Sequence, residues 1–275
     1  MWIAMGEDGQ PPCFRMAAMM AIILMQSTIS AAIAAETAPQ SLDTSVLRSF
    51  EKSAIPKPEI QSETRYRAPS HTSRQENGIG DELAQDFMDM TMNLMIAGGY
   101  YSMQRVASEA NDPMRRIAGE PLIPFMRYDF AYQHVSSRIG ANIHRFESGY
   151  GPVALLLEKY TFNEHEPSNT LQVERQMFMY RMSVGNDAEI DLGIGKSVIT
   201  GMQRTTINVI SLPVKFMIGE MTSVELRPTW GGAVDDFEVA LHWGVKLGSL
   251  KAGYRILSSP DASLKGPFAG MAFYY

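Results

Sequence analysis

His134 and His144 flank a short polar stretch that contains Ser136 and Ser137. A serine hydroxyl beside an imidazole base is the minimum apparatus of acyl transfer, because the base can take the hydroxyl proton as the oxygen attacks. The sequence supplies no third group to orient either histidine and no oxyanion donor. His134, His144 and Ser136 are therefore an incomplete catalytic set, with a plainer reading as polar residues at strand ends. His165 lies between Glu164 and Glu166, but a metal there needs ligands from elsewhere, and a solvated charge run accounts for the triplet. No metal site and no cofactor is expected. The pair Gly193-x-Gly195 has no helix after it, so it is not a phosphate loop.

A second chemistry is ionic. Along a series of alternating segments one face carries Arg127, Asp129, Arg145, Glu147, Glu158, Arg175, Arg181, Glu189, Asp191, Lys215, Glu225, Arg227, Glu238, Lys246, Lys251 and Arg255, together with His242. The two signs nearly balance. In a narrow interior such charges must pair, since an unpaired charge in a confined site is costly. Arg127 is expected to find partners on the next strand, and Arg227 to find Glu225 and Glu238.

The elements that position these side chains follow from a period of two that runs from Phe125 to the last residue. Ten strands are expected: 125–134, 143–150, 153–162, 172–184, 188–198, 206–218, 224–230, 237–247, 250–257 and 267–275. In the first, Met126, Tyr128, Phe130 and Tyr132 alternate with Arg127, Asp129, Ala131 and Gln133. Connections after the even strands are short, and those after the odd strands, such as 163–171 and 258–266, are longer and more polar. A soluble sandwich would bury the apolar face and wet the charged one. Gly193, Gly195, Gly244, Gly253 and Gly270 sit on the charged face, where a narrow lumen would need room for long neighbours. Aromatics such as Tyr150, Phe216, Trp230 and Phe237 gather toward strand ends on the other face, as in interfacial girdles.

The last segment, Pro267 to Tyr275, places Ala269, Met271, Phe273 and Tyr275 on one face and stops on the aromatic. It resembles the closing strand of bacterial outer-membrane β-barrels, although it ends in Tyr where Phe is commoner. The resemblance implies that Ala269, Met271, Phe273 and Tyr275 form a signal for the barrel-assembly machinery. It also implies that the last strand pairs with the first to abolish the sheet edge. The fold expected for 124–275 is all-β, an antiparallel up-and-down transmembrane β-barrel of about ten strands.

The chain ahead of it divides by composition. Residues 1–35 place Arg15 before the apolar run Met16 to Met25 and then Ala32-Ile33-Ala34, which fits a signal peptide with a small-x-small cleavage site. The one cysteine, Cys13, falls inside it, so the exported chain has no disulfide or thiolate ligand. Residues 36–77 are rich in Ser, Thr, Pro and Glu and are expected to be a disordered periplasmic linker. In 78–123, Leu83, Phe87, Met90 and Leu94 recur at helical spacing until Gly98-Gly99, so a short apolar helix is expected there. It would either lie in the membrane interface or plug the barrel mouth. Net charge is −6, which argues against a nucleic-acid partner, and none is expected.

The functional expectation is an outer-membrane barrel with a charged, filled lumen, acting as a structural or interaction protein rather than an enzyme. Its partners would be outer-membrane lipids, the assembly machinery and a periplasmic or surface protein. A narrow, porin-like solute pore is the alternative, and an outer-leaflet lipid-modifying Ser/His enzyme the second.

Overall fold

The computed structural model describes residues 45–55, 79–111, 126–165, 167–185, 187–219, 221–245 and 248–274. Two helices, α1 (Val46–Ala54) and α2 (Ile79–Asn111), precede the sheet. Its segments are β1 (Met126–His134), β2 (Ile139–Tyr150), β3 (Val153–His165), β4 (Ser168–Val184), β5 (Ala188–Thr200), β6 (Arg204–Ser211), β7 (Val214–Gly219), β8 (Thr222–Gly231), β9 (Val234–Val245), β10 (Gly248–Ser258) and β11 (Ser263–Tyr274). Pro213, which has no backbone N–H, interrupts the ladder between β6 and β7. The two pieces share the neighbours β5 and β8 and count as one strand.

The result is a closed antiparallel barrel of ten strands. β1 and β11 close it, with Tyr128 opposite Phe273, Phe130 opposite Met271 and Tyr132 opposite Ala269. Closure leaves no row of unpaired backbone groups at a sheet edge. The alternating sequence produces alternating burial, as in β1, where every second residue from Arg127 to Gln133 is buried. The sense of that alternation is inverted relative to a soluble protein: the charged face points in and the apolar face points out.

β1 begins and β11 finishes at one end of the barrel, here the near end. The hairpins there turn at 151–152 and 185–187, where Gly151 and Gly185 supply the positive φ (55° and 68°). The connections at the far end, 135–138, 166–167, 201–203, 232–233 and 259–262, are also short. This corrects the expectation of long loops over 163–171 and 258–266. His165 pairs with Ser168 and Ser258 with Ser263, so these polar stretches continue the strands to the turn. A polar residue completes its backbone hydrogen bonds in a ladder as well as an apolar one does, so polarity did not mark a loop.

Both helices depart from expectation. Within 36–77, residues 46–54 form α1 in place of a linker; 36–44 and 56–77 lie outside the described residues, as does the 1–35 segment. Ser45 caps α1, its hydroxyl accepting from the Arg48 N–H at 3.2 Å. Leu47, Phe50 and Ala54, at helical spacing, are buried in the far mouth of the barrel. The rim holds the polar side: Ser45 Oγ donates to Glu164, Arg48 Nε to Asn169 at 3.3 Å, and the Gln203 N–H to Glu51. α1, and not the later helix, is the plug.

α2 packs against the outside of β4 at the near end. It does not stop at Gly98-Gly99 but runs on to Asn111. The two glycines are the contact instead. A Cβ on Gly98 would lie 2.7 Å from the Cβ of Met182, and one on Gly99 would strike the Tyr180 hydroxyl. Tyr180 Oη donates to the Met95 carbonyl at 2.9 Å, and Ser102 Oγ accepts from the Ser183 N–H at 3.0 Å. Met88, Met92, Ile96 and Tyr100 line an exposed stripe.

Candidate functional site

The interior is built in layers, because inward positions alternate along every strand and the strands differ in what they bring to each height. Nearest the near end, Arg181 donates to Glu147 at 3.1 Å. Beside them Lys215 lies 3.5 Å from Glu189 and 3.8 Å from Asp191, two acids on the same face of β5. All five are buried.

The middle layer is one continuous network. Arg127 grips Asp129 through two bonds of 2.7 Å and reaches Glu225 at 2.9 Å. Arg227 pairs with Glu225 and lies 3.7 Å from Glu158. Arg145 is the hub: it bonds Glu158, Asp129 at 3.3 Å and Glu238 at 3.0 Å. Lys251 joins Asp129 at 3.3 Å to Glu238 at 2.6 Å. Arg227 thus takes Glu225, as expected, and lies near Glu158; Glu238 is its register partner on β9 but turns instead to Arg145 and Lys251. Arg127 takes Asp129 of its own strand, two residues on, rather than a group on the next strand. Arginine forks suit this packing because each can meet several carboxylates in a fixed plane.

Toward the far end, Arg255 donates to Asp236 at 2.8 and 2.6 Å, and Arg175 pairs with Asp236 and with Glu158 at 3.5 Å. The Arg255 guanidinium sits 3.4 Å from the ring centroid of Tyr160, a cation–π contact, and Arg175 lies 5.4 Å from the same ring. Above this the lumen turns apolar, with Phe162, Leu171, Ile199, Ile207, Leu257 and Leu264 around Phe50 of α1. Two glycines make room: a Cβ on Gly253 would lie 2.8 Å from the Phe268 ring, and one on Gly193 2.6 Å from Met179 Sδ.

Among the described residues the polar interior therefore holds eight acids (Asp129, Glu147, Glu158, Glu189, Asp191, Glu225, Asp236, Glu238) and eight bases (Arg127, Arg145, Arg175, Arg181, Lys215, Arg227, Lys251, Arg255). Lys246 lies outside the described residues. Asp236 and Tyr160 are the members that sequence reasoning missed. Both continue the inward alternation: Asp236 lies one residue before the expected start of its strand at Phe237, and Tyr160 lies within 153–162, two residues after Glu158.

His242 is the only buried histidine among the described residues. Its Nε2 lies 3.1 Å from Glu225 and its Nδ1 3.1 Å from Ser249, whose hydroxyl lies 2.9 Å from that of Tyr274. With Glu225 as acceptor, Nε2 carries the proton and Nδ1 accepts from Ser249. Serine, imidazole and carboxylate stand in line here, but the hydroxyl is packed between His242 and Tyr274 and Ser249 is only 4 % exposed.

The residues first considered for catalysis are not assembled. His134 pairs with Gly140 across the strands, while His144 pairs with Phe130. The two histidines are thus four residues apart along the ladder, about 13 Å. His144 Nδ1 is 2.8 Å from the Tyr128 hydroxyl, and Ser136 Oγ accepts from the Arg138 N–H at 3.3 Å within the turn. His165 is exposed, and no group of three or more His, Cys, Asp or Glu suited to a metal occurs among the described residues. Of the terminal set, Ala269, Met271 and Phe273 face outward and Tyr275 lies outside the described residues. No protein-family model, no curated protein and no solved structure matches the chain.

Proposed function

We propose that the chain is a transmembrane β-barrel of the bacterial outer membrane with a closed lumen, acting as a structural or interaction protein. The observation that carries this is the inverted distribution of side chains. Arg127, Arg145, Arg181 and Arg255 are the largest fully buried side chains, whereas Trp243 is 61 % exposed, Leu250 58 % and Phe273 53 %. A protein surrounded by water does not leave so continuous an apolar exterior bare; hydrocarbon is the solvent that matches it. The strands are long enough: β1 has 9 residues and β10 has 11, the length a tilted strand needs to cross a bilayer. No helix among the described residues is long and apolar enough to cross a membrane, so the strands are the spanning elements of this reading.

The filled interior favours a closed barrel over a porin-like pore. The ion pairs occupy the middle of the lumen and α1 occupies its far mouth, and both stand in the way of an aqueous path along the axis. Outer-membrane lipids would contact the exterior, the assembly machinery would receive the closing strand, and the rims would serve a periplasmic or surface protein.

The test is fractionation followed by reconstitution. The chain is expected in the outer-membrane fraction, with gel mobility that changes on boiling, and in a planar bilayer it should give no steady ohmic conductance. Recovery as a soluble protein without detergent would overturn the membrane reading. Channels of uniform size would overturn the closed lumen.

A further inference from the structure

One flank of the exterior is polar at a height where the rest is apolar. On β2, β3 and β4 the outward residues His144, Lys159 and Glu174 are register partners, and on β4, β5 and β6 so are Gln176, Lys196 and Asn208. His144, Lys159 and Gln176 stand at the midpoints of their strands, and the other three lie slightly toward the far end. Lys159 Nζ and Glu174 Oε1 form an ion pair of 2.8 Å with both side chains about half exposed, at 47 % and 46 %. A shallow groove of about 280 Å³ runs beside them, floored by Phe146 and Leu157. At the same height across the barrel the outward residues are Val239, Leu241, Ala252, Tyr254 and Ala269.

In the membrane reading proposed above, on which this inference rests, hydrocarbon covers the second flank without cost but not the first. Charged and amide side chains facing lipid at mid-height are expensive and are found where they meet other protein groups. We infer that the β2–β6 flank is the contact surface of a homodimer, with a second copy of this chain as its occupant. The argument for a second copy is charge complementarity. The ion pair is one acid beside one base, so a two-fold axis near it sets each Lys159 against the Glu174 of the other copy and an identical surface supplies both signs. The amide of Gln176, on the same strand as Glu174, both donates and accepts, so its copy across the axis satisfies it.

The test uses the full chain in native membranes, with Cys13→Ser to remove the natural thiol. Gln176→Cys treated with a short bis-maleimide should give a band of twice the chain's mass, and Leu241→Cys on the opposite flank should not. Lys159→Glu placed in the Gln176→Cys chain should abolish the band, because two acids then face two acids, and adding Glu174→Lys should restore it. A membrane-embedded chain that stays monomeric, that cross-links equally at both positions, or that yields an adduct with a different protein would overturn the homodimer while leaving the barrel reading intact. Recovery of the chain in the soluble fraction would instead overturn the reading on which it rests.

Discussion

Arg145 illustrates what the interior asks of a single residue. Its guanidinium meets Glu158, Asp129 and Glu238 at once, and no water-facing surface remains on it. Replacing a buried ion pair as a whole can be neutral, but removing one partner strands the others' charges in a place that cannot solvate them. Arg145→Met is therefore expected to destabilise the folded barrel by about 3–5 kcal/mol. Denaturant titration of the protein in detergent micelles measures it. Arg204→Met, at the exposed far rim, should change stability by less than about 0.5 kcal/mol in the same assay.

At the scale of elements, the two helices hold to the barrel by opposite means. α1 enters the far mouth with one apolar side and is tied at the rim by side-chain hydrogen bonds to three separate turns or strand ends: Glu164 and Asn169, Gln203, and Ser259, whose hydroxyl lies 2.6 Å from that of Ser53. α2 has no pocket to fill. It approaches β4 because Gly98 and Gly99 have no side chains, and backbone proximity lets Tyr180 and Ser183 reach its Met95 carbonyl and Ser102 hydroxyl. Gly98→Leu should push the helix off Met182. Limited proteolysis is expected to cleave within 79–111 in that variant and not in the parent, while the heat-dependent gel mobility of the barrel stays unchanged. Protection of α2 in both proteins would show that another contact holds it.

For the whole molecule the arrangement has a consequence in topology. The barrel strands start and finish at the near end, next to α2, whereas α1 sits at the far end. The segment ahead of the barrel thus has elements at both ends. If the near end faces the periplasm, as the export reading proposes, α1 closes the mouth that faces the cell exterior. Lys52 points outward from α1. A Lys52→Cys chain carrying Cys13→Ser is expected to react with a membrane-impermeant maleimide on intact cells, and Asp187→Cys, in the near-end turn, only after the outer membrane is permeabilised. The reverse pattern would invert the orientation.

The sequence by itself determined which residues face which way, because parity along a strand is a local property. Arg127 and Asp129 point in and Tyr128 and Phe130 point out wherever that strand is placed. It also determined the number of strands, since each alternating run is bounded by turn residues such as Gly151 and Gly185. Who pairs with whom was decided only by the closed sheet. Glu238 meets Arg145 across 93 residues because the stagger of the barrel brings β9 opposite β2 at that height, and no local pattern encodes that stagger. The same holds for the helices. Nine residues of α1 amid a polar stretch are too few to signal a stable helix alone, and they become one by filling a mouth whose shape ten strands define. Gly98-Gly99 reads as a helix stop in one dimension and proves a packing surface in three, since glycine's missing side chain serves either end.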